Sequence, residues 1–509
     1  MRRLANISGI TFALYFLWKV ALLLFTAQPV PANDAFFYDG PVVNYLLHGK
    51  YCNPALANVL PISGTEVFSA YPPLYQGVLL GWMKCFGTSE LAAMWLHLTL
   101  LAVFTVTMWR IFTQFKFSAP AMNFAGLFLF GITFNDRPDT LAHVLGALAL
   151  LALVRDWPWA MAVFLMLTFG TSLQIGGIYS LWLALFVLSE AGFAKIKIPW
   201  AAVATLVGGL AGLILLVKFG HPRWWEGFRE HVAITPSVTG LRLPRVDDVL
   251  KVGRAAPGIL LVVLLLAGMA IKGRVMLNRL TTSRELWFIA SGCLAALALM
   301  GGCLFVLTPN TIHITGYLQP IIVGGFLAMM ATSDWFGSKR RFLLLGMFLA
   351  AVALVSIRAI GLTTWGLLCA RDVSRVEALA RINQELDAVP TGGTVFVAAA
   401  YLYEAAQRTN ITWLHSDWAS LANENDWELR ALQEHRPARL LLTQFDYYRR
   451  YERIVSLLQR TRGDVSVRII NTTRVQTPDA ERLTQKVVQH IAWAPVIVEF
   501  DWPPLGGAK

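Results

Sequence analysis

LAAMWLHLTLLAVFTVTMWRIF, residues 91–112, holds a single Lys, Arg, Asp or Glu, which is Arg110 near its end. Wound as a helix at about 1.5 Å per residue it reaches about 33 Å, enough to cross a hydrocarbon core of about 30 Å. Runs of similar character lie on both sides of it, near 9–27, 119–134, 139–154, 157–171, 173–190, 199–219, 256–271, 285–307, 316–332 and 342–368. About eleven crossings result. Residues 72–86 are apolar but short, and read as an interfacial or half-inserted helix. The whole chain agrees: of 509 residues 56% are hydrophobic and 15% charged, with mean hydropathy +0.54, more apolar surface than a soluble globule can hide from water.

Arg2 and Arg3 precede the first run and set the N-terminus in the cytoplasm by the positive-inside bias. Alternation then puts Arg110 with Lys116, Arg155, Lys195 with Lys197, the group Lys272, Arg274, Arg279 and Arg284, and Lys339 to Arg341 on the cytoplasmic side. An odd number of crossings leaves the C-terminal part outside. The net charge of +12 is unevenly spread, with 26 Lys+Arg against 14 Asp+Glu in residues 1–369 and 17 against 17 in residues 370–509. The basic excess belongs to loops between spans, where it sets topology and can meet phosphate groups, so it makes no case for nucleic acid.

Residues 370–509 change pattern. A helix over 375–386, a strand VFVAAA (395–400), a short helix, a strand ITWLH (411–415), a helix near 426–434 and a strand RLLLTQ follow one another. A helix over 447–459, the strand VSVRIINTTRV, another helical stretch and PVIVEF complete a small α/β layer domain. It contains no GxGxxG and no phosphate-binding P-loop motif. The five cysteines, Cys52, Cys85, Cys293, Cys303 and Cys369, form no CxxC pair and read as small buried hydrophobes, although Cys52 and Cys85 can bridge if both face an oxidising compartment.

Three stretches carry acids or special backbone at the outer surface. NDAFFYDGPVVNYLLHGKY opens the first outer loop with Asp34 and Asp39, carboxylates that can act as a base on a hydroxyl or ligate a divalent cation. SAYPPLYQGVLLGWMKCFG (69–87) follows, its double proline fixing an extended approach and Tyr71 and Tyr75 suiting an interface. In NDRPDTLAHVLGALAL (135–150), Asp136, Arg137 and Asp139 crowd one turn, with Pro138 set to start a helix. A solvated loop, a membrane-entering turn and a self-paired salt bridge are the plainer readings of the three.

In this order the three stretches resemble the GT-C class of membrane glycosyltransferases that use polyprenyl-phosphate sugars, above all the bacterial branch with protein O-mannosyltransferases and lipid A aminoarabinose transferases. Such proteins carry an acid in the first outer loop, a PPLY-type juxtamembrane helix and a second acid in an ARPD-like turn, positions matched here by Asp34, Pro72-Pro73-Leu74-Tyr75 and Arg137-Pro138-Asp139. The match covers roughly residues 9–160. Relatives often place a basic residue before the double proline, where this chain has Tyr71, and an Arg-Tyr pair near a late span, where it reads HITGYLQP with His313 and Tyr317.

The resemblance implies transfer of a sugar from a polyprenyl-phosphate donor to a hydroxyl of a lipid, glycan or protein acceptor on the outer face of a bacterial inner membrane. Asp34 is then the candidate base and Asp139 its catalytic companion. Asp39, Tyr71, Tyr75, Asp136, Arg137, Arg223, His313 and Tyr317 are candidates for binding substrate. A divalent cation is a candidate cofactor, although no His/Asp ligand cluster is visible in the sequence. The long loop 220–255 adds Arg223, Arg229, Arg242, Arg245, Lys251 and Arg254 beside Trp224 and Trp225, a basic outer loop that opposes the positive-inside bias and suits a phosphate. The rivals are a transporter or flippase of lipid-linked or anionic cargo, which should show repeated halves and midplane charges, and a scaffold whose outer domain recruits a partner.

Overall fold

The computed structural model describes residues 33–115, 138–194, 221–234, 284–306, 375–416, 427–443, 446–460, 465–472 and 495–503, with scattered positions elsewhere. They form α1 (Asn33–His48), α2 (Leu74–Phe86), α3 (Glu90–Gln114), α4 (Asp139–Val154), α5 (Pro158–Phe169), α6 (Leu173–Ala194), α7 (Trp224–Ile234) and α8 (Arg284–Val306). The C-terminal part adds α9 (Arg375–Asp387), β1 (Thr394–Val397), β2 (Thr412–His415), α10 (Trp427–His435), β3 (Arg439–Thr443), α11 (Glu452–Arg460), β4 (Ser466–Thr472) and β5 (Pro495–Asp501). The fold is mainly helical with one small sheet domain, as the sequence pattern implies.

Helices α3, α4, α5, α6 and α8 stand where runs were expected near 91–112, 139–154, 157–171, 173–190 and 285–307. The other expected spans lie wholly or largely outside the described residues. Among the described residues one helix, Glu90–Gln114, is long and apolar enough to cross a membrane, and Asp139–Val154, Pro158–Phe169 and Leu173–Val187 are apolar but shorter. Ser89 caps α3 by accepting the Ala92 N–H, and Pro158 starts α5 in the first turn, where its missing N–H costs nothing.

α3 packs on α4, α4 on α5, α5 on α6 and α6 on α8. Two glycines allow close approaches between these helices: the Tyr179 ring lies where Gly146 would carry a Cβ, and the Trp182 ring lies where Gly292 would. Trp182 also donates its indole N–H to the Phe288 carbonyl at 2.8 Å, tying α6 to α8.

The sheet has strand order β2-β1-β3-β5-β4, with β1 parallel to both β2 and β3, and β5 antiparallel to both β3 and β4. Side chains alternate between its faces. Val395, Val397, Trp413, Leu441 and Ile497 face α9 and join one continuous core with the bundle and the 33–89 segment. Phe396, Leu414, Leu440, Leu442 and Val498 face α10 and α11 in a separate core. The strand expected through Ala400 ends at Val397, because Ala399–Tyr401 turns out of the sheet and packs against α1. The helix expected from Tyr447 opens with a wider turn over Tyr447–Tyr451 before α11 begins. The helical stretch expected between β4 and β5 lies outside the described residues.

Half-buried Arg439 links α9 to the sheet, pairing with Glu385 and, at 3.2 Å, with Glu499. Glu385 is itself buried and keeps Arg381 at 2.9 Å as a second cation. Removing Arg439 strips a buried carboxylate of its better-shielded partner, which costs about 3 kcal/mol. Arg439→Met is therefore expected to lower the thermal midpoint of the detergent-solubilised protein clearly. Arg468→Met, which removes an exposed partner of Glu499, is expected to leave it nearly unchanged.

Candidate active site

The helices converge at one end of the bundle. α4 and α5 are joined by three residues and pack together, so they run antiparallel and bring Asp139 at the start of α4 to the same end as Gly170 just past α5. The double proline leads into α2 there, and the Leu74 N–H donates to the Gly170 carbonyl at 3.1 Å. The PPLY segment thus docks beside the turn that carries Asp139. Asp139 is half-buried in the first turn of α4.

α1 lies over this end and is held in an unusual way. Pro41 lies inside the helix and cannot donate to the carbonyl of Phe37 four residues earlier. Buried Asn53 supplies the replacement, its amide reaching the Phe36 and Phe37 carbonyls at 3.0 and 3.3 Å while its oxygen accepts the Ala55 N–H. Gly40 leaves the room that the Asn53 side chain fills.

Asp39, on the next turn, is 1% exposed. The Tyr75 hydroxyl donates to its Oδ1 at 2.8 Å and the Tyr403 hydroxyl donates to its Oδ2 at 2.8 Å. Tyr75 also lies 2.9 Å from His97 Nε2. The single phenol proton goes to the carboxylate, so His97 must donate from Nε2, which leaves its Nδ1 as the bare nitrogen; among the described residues that atom has no hydrogen-bond partner. α1, α2, α3 and the C-terminal domain thus meet in one buried polar chain.

Neighbouring α1 residues face other walls. Phe36 meets Tyr403 and Trp413 edge-on at 5.3 and 5.8 Å. Phe37 meets Phe68 and His231 at 5.6 and 5.8 Å, and Tyr38 meets Tyr71 edge-on at 4.7 Å. Asp34 lies in the first turn of α1, five residues before Asp39.

α7 closes this side. Arg223 just before it pairs with Glu66 and, at 2.9 Å, with Glu226, while Glu230 accepts the Ile62 N–H at 3.2 Å. Burial pushes the His231 imidazole down to about 4, which keeps it neutral at physiological pH.

The expected site residues therefore fall into three groups. Asp139 and Tyr71 stand half-buried at the converging end. Asp39 and Tyr75, expected to contact substrate, are buried and bonded to protein groups, and the exposed Arg223 is already engaged by two carboxylates. The side chain of Asp34 lies outside the described residues, as do Asp136, Arg137, His313 and Tyr317. Cys52 and Cys85 are free thiols, and Cys52 is buried with Asn44 donating to its sulfur at 3.3 Å. Among the described residues no three metal-ligating side chains converge. Sequence reading passed over Asn53, His97 and Tyr403; a histidine inside an apolar run was the one visible signal.

No protein-family model matches the chain, and no curated protein matches it by sequence. Solved structures do match it by shape. ArnT from Cupriavidus metallidurans bound to undecaprenyl phosphate superposes with a TM-score of 0.55 at 13% identity, over 98% of this chain and 99% of that one. The chain has the ArnT fold. The apo form of the same ArnT gives a TM-score of 0.51 at 13% identity, over 98% and 100% of the two chains. The likeness to ArnT thus extends past residues 9–160 to the C-terminal domain.

The depressed His231 makes a testable link between pH and the position of α7. The folded state favours the neutral ring, so this stabilisation is complete above the ordinary value of 6.5 and is lost as pH falls from there towards about 4. Protection of the Trp224–Ile234 amides, taken as hydrogen exchange relative to the unstructured rate at each pH, is expected to fall over that window. His231→Phe is expected to remove most of the pH dependence while keeping the ring contacts with Phe37 and Tyr71.

Proposed function

We propose that this chain is a membrane glycosyltransferase that moves a sugar from a polyprenyl-phosphate donor to a hydroxyl acceptor on the outer face of the bacterial inner membrane. The observation that carries the reading is the end-to-end likeness in fold to ArnT holding undecaprenyl phosphate. In this reading the chain crosses the membrane about eleven times, with its N-terminus in the cytoplasm and its C-terminal domain outside.

The acceptor oxygen attacks the anomeric carbon from the face opposite the phosphate, with inversion. Its proton passes to Asp34, and the bond from the anomeric carbon to the phosphate oxygen breaks, that electron pair leaving with the polyprenyl phosphate. Asp139 and Asp136 orient the acceptor or hold a divalent cation. Arg137 and the basic run from Arg242 to Arg254 stabilise the departing phosphate, since Arg223 is tied to Glu66 and Glu226. Tyr71, edge-on against Tyr38 of α1, forms an aromatic wall suited to a sugar ring. His313 and Tyr317 contact the donor lipid.

The test uses proteoliposomes, a panel of labelled polyprenyl-phosphate sugars and lipid, glycan and peptide acceptors. Wild type is expected to form a glycosidic product, and Asp34→Asn and Asp139→Asn are each expected to lower kcat by about 100-fold or more. Unchanged transfer by both variants removes the catalytic assignment. Movement of labelled lipid across the bilayer without bond formation replaces the reading with that of a flippase.

A further inference from the structure

In open α/β sheets the crevice beyond the carboxyl ends of parallel strands, where neighbouring connections run in opposite directions, is the usual ligand position. β1 of the C-terminal domain has β2 on one side and β3 on the other, so its carboxyl end is such a point. The segment that leaves β1 there, Ala399–Ala406, packs on α1. Three contacts fix it: Tyr403 to Asp39, Phe36 against Tyr403 and Trp413, and His48 Nε2 to the Ala406 carbonyl at 2.8 Å.

We propose that the C-terminal domain is a clamp whose bound element is α1, and that Tyr403 is a positioning residue that sets the Asp34 helix through Asp39. The catalytic half of this statement rests on the reading of Asp34 as base; the clamp itself does not.

Plain packing does not account for the arrangement. A buried carboxylate loses its hydration and is tolerated when donors replace the water; an apolar side chain at residue 39 would need none. Here the two oxygens are divided between phenols from separate regions, Tyr75 at the bundle end and Tyr403 on the domain. Each region therefore supplies one of the donors that fix the carboxylate plane. Pro41 removes one of the helix's own bonds beside this point, so the orientation of the 33–40 turns depends on outside contacts more than in an unbroken helix. Asp34 lies five residues before Asp39 on those same turns.

The experiment uses the full-length protein in proteoliposomes, with Tyr403→Phe, Asp39→Asn, the double variant, and Tyr451→Phe as control. Tyr451 is buried in the same domain and donates to the Ser416 carbonyl, away from α1, so its loss weakens the domain without touching the clamp. Tyr403→Phe is expected to raise hydrogen exchange of residues 35–40 by roughly tenfold while Glu90–Gln114 is unchanged. It is also expected to lower kcat by at least about tenfold, with KM for the donor within about twofold. The double variant is expected to be no slower than Asp39→Asn alone, and Tyr451→Phe is expected to lower the melting point and leave kcat unchanged.

Unaltered exchange at 35–40 in Tyr403→Phe overturns the clamp. Altered exchange with unaltered kcat, or losses that add in the double variant, overturns the positioning role. If wild type transfers no sugar, the glycosyltransferase reading fails and the exchange result still decides the clamp.

Discussion

A carboxylate taken out of water must be given donors by the protein, and Asp39 obtains them from residues 36 and 364 positions further along the chain. That requirement couples the parts of the molecule. Tyr75 can serve only if the double proline and the Leu74 N–H to Gly170 contact start α2 at the correct height on the bundle. Tyr403 can serve only if β1 ends at Val397 and lets the chain turn towards α1. His97 completes the set from within α3, where a polar ring needs a partner among apolar neighbours.

What the sequence revealed, and what it hid, follows from the range of the interactions. The apolar runs and the alternation of VFVAAA, RLLLTQ and PVIVEF are local patterns set by helix and strand periods, and they placed elements to within a few residues. The pairing of one sheet face with α9 and the loop helices, and of the other with α10 and α11, follows from that alternation once the strand order is known. The meeting of Asp39 with Tyr403 has no local signature, because each lies in an ordinary-looking amphipathic stretch and nothing in spacing relates them. Asp39 and Asp34 looked equivalent for the same reason: that residue 39 is buried between two phenols is settled only once the helix is packed.

The basic loop shows how a charge count can mislead at short range. Arg223 counts as a cation in the sequence, but in the fold it neutralises Glu66 and Glu226, and Glu230 is spent on the Ile62 N–H. These exposed contacts contribute little to stability. Their effect is geometric, since they lay α7 along the Pro61–Thr65 turn and bring His231 against Phe37 and Tyr71. The argument for phosphate binding passes to the cations from Arg242 to Arg254.

α1 is consequently gripped from two directions a single residue apart. Phe36 turns to Tyr403 and Trp413 of the C-terminal domain, and Phe37 turns to His231 and Phe68. A rotation of α1 that improved one set of ring contacts would break the other, and Asp39, bonded at both oxygens, resists rotation in either sense. The first turns of α1 are held between these grips, with Tyr38 against Tyr71. A helix with a proline at its ninth residue would by itself hold its first turns loosely, so their rigidity is supplied by α2, α7 and the C-terminal domain together, which is what the proposed role of Asp34 requires.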